Sequence, residues 1–308
     1  MHLSVMAMPD PNDPRGLSAV TEPIVDADRA GFHRAWLPQL PPLAGMAPWD
    51  ALTALTVAAR DAGRIRFGTG VVVAYTQHPL ALARQALTTN AATGGRLTLG
   101  IGVSHPFMVE ALGYSYEKPV AFLREYLEVL LPALAGEPVD HHGRHITAVG
   151  QVTLAGAPAP RLVTAALGPR MLDLAGELTD GTITSWAGPN ALEKHIIPGI
   201  TRAAARSGRP APQVIAGLPV VVTTDPDHAR EQLATRFEMA SQTPAYGAVL
   251  AKEGASTVGD VCVVGDETHV ERQLRRLSEI GVTEFVASPH GDAAQAARTI
   301  EFLSSLRL

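Results

Sequence analysis

Cysteine is almost missing: Cys262 stands alone in 308 residues. That excludes an intrachain disulfide and any thiolate metal cluster. Aromatic residues are scarce at 5%, so the core has to be built mostly from Ala, Val, Leu and Ile. No apolar run reaches the ~18 residues of a membrane span. The opening stretch from Met1 to Asp13 has no basic n-region and no long apolar segment, so it does not read as a secretory signal. Basic runs are short, and 25 Lys and Arg against 30 Asp and Glu give a net charge of −5. Nucleic acid and anionic membrane surfaces are therefore not expected partners. The expectation is a globular, cytoplasmic protein.

What is present is a regular alternation. The chain is 46% hydrophobic and 18% charged, with 28 glycines and 24 prolines to make turns. Eight short apolar runs begin near His2, Arg34, Arg66, Leu97, Leu162, Gly181, Val214 and Thr283, and a helical pattern follows each. The helical stretches include Asp50 to Ala62 with Asp50 as N-cap, Pro79 to Ala92 stopped by Gly94-Gly95, and Ala191 to Arg206 with a kink at Pro198. A further short run spans Val261 to Val264. The eight runs are continuously apolar rather than alternating, as in strands covered on both faces. Eight strand-then-helix units in a chain of this length predict a (β/α)8 TIM barrel, one domain over residues 1–308. A doubly wound sheet is the alternative, and its Gly-rich fingerprint is missing after the first strand. Residues 137–160, rich in Gly, Pro and His, read as an inserted segment.

On a barrel, functional loops follow the C-terminal ends of the strands. The strand Phe67 to Val73 carries Gly68 and Gly70, and a glycine inside a buried strand marks a bulge, a ligand approaching the backbone, or a corner that needs a small residue. The next strand ends in Ser104 and His105, where a general acid, a hydrogen-bond donor or a loop-capping imidazole would sit. Gly168-Pro169-Arg170 opens a helix whose amides and dipole suit an anion, with Ser185 at the end of the following strand as a further donor. An ordinary β–α turn is the plain alternative there. The tract His141-His142-Gly143-Arg144-His145 lacks a matching carboxylate spacing and reads as a solvated loop, so no metal site is expected.

Several blocks resemble one family. Gly68 to Pro79, Gly94 to His105 (GGRLTLGIGVSH), Ala165 to Gly176 (AALGPRMLDLAG), Thr179-Asp180-Gly181, Val261 to Asp266 and Gly281 to Val286 are similar to the luciferase-like flavin and deazaflavin oxidoreductases. The likeness runs in order along nearly the whole chain and is greatest to the branch that uses coenzyme F420. The resemblance implies a (β/α)8 barrel with inserted segments, a homodimer, and a cofactor ring at the C-terminal mouth. It also implies a non-proline cis peptide under the ring at Gly70-Val71, and the cofactor phosphate at Gly168, Pro169 and Ser185.

One departure matters. Sugar-phosphate-oxidising relatives carry Asp-His after the second strand and Glu after the fourth, whereas this chain has Gln39-Leu40 and His105. The expectation is hydride transfer between F420 and a small-molecule substrate of another kind. His105 is the candidate proton donor or ring-polarising group, Gly70, Val71 and Ser104 are cofactor contacts, and Gln39 and Tyr75 contact substrate or ring. A reduced-FMN monooxygenase and a catalytically silent flavin-binding protein are the competing readings; a metal-dependent hydrolase is a third, disfavoured by the strand-end residues.

Overall fold

A computed structural model describes residues 1–8, 10, 12–43 and 49–308. Its strands in chain order are β1 (His2–Met6), β2 (Arg34–Gln39), β3 (Arg66–Val73), β4 (Leu97–Gly102), β5 (Val139–His142), β6 (Thr147–Gly150), β7 (Arg161–Ala165), β8 (Gly181–Ser185), β9 (Gln213–Val222), β10 (Val263–Gly265) and β11 (Glu284–Pro289). The main sheet runs β9-β11-β1-β2-β3-β4-β7-β8 and returns to β9, closing a parallel barrel of eight strands surrounded by helices. Pairing of Gly181 to Ser185 with Gln213 to Gly217 makes the closure, which a doubly wound sheet does not have. The short β10 extends the sheet by pairing with Val220 to Val222 of β9.

Helix starts follow the local chemistry. The Asp50 carboxylate caps the helix Ala51–Ala58 by accepting from the Thr53 amide at 2.8 Å. Pro79 opens the helix Pro79–Ala92 with His78 as its cap. Two expected spans differ. The first of these helices stops at Ala58 rather than running to Ala62. Val261 closes a short helix, Val258–Val261, and the strand is confined to β10. Before Pro198 there is no simple kink but a π-helical turn, Leu192–Ile196, which runs into the helix Ile197–Arg206. Proline has no N–H to return to the preceding turn, and Ile197 instead donates five residues back, to Leu192 O.

Two compact units divide the chain. One holds Met1–Met6, Arg29–Arg34 and Ala166–Leu308, the other Ala7–Asp28 and Ala35–Ala165. The first unit buries Glu284, whose carboxylate accepts from Ser4 Oγ at 2.7 Å and from the Arg34 guanidinium at 2.6 Å. A buried charge is tolerable when it is paired and hydrogen-bonded in this way.

In the second unit the β3–β4 pair is irregular. Register passes from Gly68 opposite Thr98 to Val72 opposite Ile101, which leaves one extra residue on β3. The Gly70-Val71 peptide within this bulge is cis. The Thr69 side chain replaces the missing ladder partner: its hydroxyl donates to Gly100 O and accepts from Gly100 N, both at 2.8 Å. Glycines make the arrangement fit. A Cβ on Gly100 would run into the Thr69 carbonyl, one on Gly102 would lie 2.9 Å from a Val71 methyl, and one on Gly68 would enter the fully buried Trp36 indole.

Residues 137–160 contain the antiparallel hairpin β5–β6. Its histidine tract is held by Glu125, whose carboxylate accepts from the His145 and Ile146 amides at 2.7 and 3.1 Å. His142 Nε2 lies 3.0 Å from Asp140. Among the described residues, no three His, Cys, Asp or Glu side chains group so as to hold a metal ion.

Candidate active site

The second unit gathers polar and aromatic groups just beyond β3 and β4. After β3 the chain makes one 3-10 turn, Ala74–Thr76, which buries Tyr75 at 6% exposure. The Tyr75 ring stacks on Phe122, with centroids 3.9 Å apart and planes 5° from parallel. Tyr114 and Tyr116 flank it at 6.0 and 6.2 Å. The Tyr75 hydroxyl and the Gln77 side-chain nitrogen are buried with no hydrogen-bond partner. Burial pushes the Tyr75 phenol up to about 12, helped by Tyr116, so it stays a neutral donor. An unmet buried donor costs roughly 1–3 kcal/mol, and a ligand accepting from it would remove that cost.

β4 leads into Ser104, which takes a left-handed backbone with φ +58°. That conformation is uncommon for a residue with a side chain, and such residues cluster at functional sites. Tyr116 Oη holds the turn by donating to Ser104 O at 2.9 Å. His105 follows as the N-cap residue of the helix Pro106–Ala111, but its side chain makes no capping bond. Its half-buried ring lies parallel to Phe107 at 6.3 Å, and burial lowers its pKa below the usual 6.5. At neutral pH the imidazole is therefore uncharged and able to accept or pass on a proton. Gln39 is otherwise occupied: its Oε1 accepts from the Ala51 amide at 3.1 Å.

The first unit carries the other predicted residues. Gly168 is exposed and extended at the start of the helix Pro169–Leu178, and a Cβ there would meet nothing within 4 Å. The Met171 and Leu172 amides return to Gly168 O at 3.1 and 2.9 Å, and Pro169 has no N–H. Of the first turn, that leaves the Arg170 amide for an anion. Ser185 ends β8, next to β7 in the sheet order, and Trp186 after it is again left-handed at φ +59°.

Around Trp186 the first unit builds a group that the motifs did not single out. Trp186 packs against Tyr246 and Phe237 with centroids 4.3 and 5.4 Å away, and His290 meets Phe237 edge-on at 5.4 Å. His290 Nε2 lies 3.2 Å from Ser288 Oγ. Burial, with the Arg236 charge beside it, pushes this imidazole down to about 4. The strand-end rule points to Ser288 and His290; nothing local in sequence marks Tyr116 or Phe122, which meet Tyr75 and Ser104 only through folding.

The model of the luciferase-like monooxygenase family matches residues 1–301. The chain belongs to this family. It is 26% identical over 300 residues to the 5,10-methylenetetrahydromethanopterin reductase of Methanolobus tindarius, covering 88% of this chain and 90% of that one. It is 28% identical over 295 residues, 80% and 85% of the two chains, to a protein of Mycobacterium tuberculosis provisionally named a coenzyme F420-dependent oxidoreductase. Among solved structures, the coenzyme F420-dependent tetrahydromethanopterin reductase of Methanopyrus kandleri superposes with a TM-score of 0.81 at 23% identity. The superposition covers 99% of this luciferase-like chain and 97% of that one. No described helix of this family member is long and apolar enough to cross a membrane.

Proposed function

We propose that this chain is an oxidoreductase that transfers a hydride between coenzyme F420 and a small organic substrate. The observation that carries this reading is the 28% identity, over most of both chains, to a relative provisionally named for that coenzyme. The reading takes residues 1–308 as one barrel domain with 137–160 as an insertion, working as a cytoplasmic homodimer.

Each unit carries residues suited to one part of such a cofactor, the second to a planar ring and the first to a phosphate. A buried Tyr75 hydroxyl and a buried Gln77 amide nitrogen lack partners, and Gly168 leaves its backbone open to approach. In this reading Gly70, Val71 and Ser104 support the ring, and the turn at Gly168 and Pro169 with Ser185 holds the phosphate. When bound, the deazaflavin supplies the hydride donor or acceptor, which no side chain provides. His105, uncharged at pH 7, handles the proton that accompanies hydride transfer. Tyr75 donates from its neutral hydroxyl, and Gln39 orients the substrate through the amide nitrogen that Ala51 does not use.

A second reading, a reduced-FMN monooxygenase, is favoured by the family match itself. Titrating purified protein with F420 and FMN side by side separates the two. The proposal expects saturable F420 binding at least about tenfold tighter than FMN; the reverse order would replace it with the monooxygenase. Sedimentation of the same sample checks the homodimer.

A further inference from the structure

A second place on the molecule has chemistry of its own. Within the first unit, a cavity of about 430 Å³ lies against the helices Pro169–Leu178 and Ile197–Arg206, the π-helical turn between Leu192 and Ile196, and Lys252. Its charged lining is Lys194, Arg202, Arg206 and Lys252 against the single carboxylate of Asp173. That is four cations to one anion, a net of +3 on a chain whose net charge is −5.

The pairing pattern sharpens the imbalance. Asp173 is taken by Arg206 at 2.6 Å. The neighbouring carboxylates are also engaged: Glu193 holds Arg276 at 2.6 Å, and Glu253 accepts from the Ala191 amide at 2.8 Å and from Asn190 at 3.1 Å. Among the described residues, no carboxylate pairs with Lys194, Arg202 or Lys252. The cause is tertiary. Gly176 lets the two helices touch, since a Cβ there would meet the Ala203 Cβ at 2.6 Å, and the π-helical turn delivers Lys194 and His195 to the cavity wall.

We propose that this cavity binds a multivalent anion, a molecule that carries three or more closely spaced charges on phosphate or carboxylate groups. The continuous helical run Leu192–Arg206 supplies Lys194, Arg202 and Arg206, and the separate helix Pro244–Glu253 supplies Lys252, so a compact polyanion meets more of this charge than a single carboxylate does. None of these cations belongs to the turn at Gly168 and Ser185 proposed for the cofactor phosphate; only Pro169 borders both. The site thus stands whether or not the deazaflavin reading does.

Calorimetric titration without any flavin or deazaflavin tests this. The probes are tripolyphosphate and citrate, each at low and at physiological ionic strength. Wild-type protein is expected to bind at least one of them saturably, with affinity falling as salt rises. The double variant Lys194→Ala/Lys252→Ala should weaken binding by at least about tenfold. The control Arg60→Ala/Arg84→Ala removes the same charge from exposed positions in the other unit and should weaken it less than about twofold. All four side chains are exposed, and melting curves confirm that both variants remain folded. The tighter of the two probes assigns phosphate or carboxylate as the source of the charge. No saturable binding of either probe, or equal loss in both variants, overturns the proposal.

Discussion

The β3–β4 pair, with several glycines, and the turn into the helix Pro169–Leu178, with the single Gly168, use glycine in opposite ways. At Gly68, Gly100 and Gly102 the missing side chain is space already filled, by the Trp36 ring, the Thr69 carbonyl and the Val71 methyl. At Gly168 the space is open. The first region is closed backbone that ends in a half-buried imidazole at His105; the second is an exposed helix start whose first turn leaves the Arg170 amide free of the helix. A glycine in a strand therefore reports packing as readily as ligand approach, and only its neighbours tell which.

The largest expected effect comes from the imidazole at the end of the closed pair. His105→Ala should lower turnover by about 10²–10⁴ if the ring handles a proton, with the melting temperature changed by only a few degrees. Near-normal turnover together with a large drop in melting temperature would reduce His105 to a packing residue. Because burial holds its pKa below 6.5, the acidic limb of wild-type activity should lie below pH 6.5 and vanish in the variant.

Next in size is the closed backbone itself. Gly100→Ala forces a Cβ onto the Thr69 carbonyl, which cannot rotate away as a side chain would, and should cost about 3 kcal/mol in urea unfolding. Gly102→Ala meets a movable methyl and should cost less. If Gly100→Ala matched wild type in stability, the contrast between the two regions would collapse.

For the open turn the order of effects reverses. Gly168→Val should leave unfolding stability within about 0.5 kcal/mol, since nothing surrounds the new side chain, while F420 affinity falls by at least about tenfold. Unchanged affinity would move the phosphate elsewhere.

Smaller still, Tyr75→Phe removes a buried hydroxyl that has no partner. It should stabilise the ligand-free protein by about 1 kcal/mol and weaken cofactor binding by a similar amount, read by paired melts with and without F420. A loss of stability in the free protein would mean the hydroxyl is already satisfied.

Acid sets a last, shallow test. His105 and His290 are both harder to protonate when folded, His290 down to about 4. Above pH 6.5 the rings are neutral in folded and unfolded chains alike. Below it the unfolded chain takes up protons first, so stability should fall from about pH 6.5 towards pH 4 and then level for this contribution. The histidine part of that slope should disappear in a His105→Gln/His290→Gln variant.

Local sequence determined a good deal of this protein. The eight apolar runs, the helices between them and caps such as Asp50 depend on residues within a few positions of each other, and all eight runs became barrel strands. The cis peptide at Gly70-Val71 follows from the family resemblance and is present. Tertiary structure decided the rest. It occupied the Gln39 carbonyl with the Ala51 amide, turned Ser104 and Trp186 left-handed, and stacked Tyr75 on Phe122 while leaving its hydroxyl unmet. It also drew Lys194, Arg202 and Lys252 to one cavity. Strand and helix patterns are written in neighbouring residues, whereas desolvation, ring stacking and charge crowding arise only when distant segments pack together.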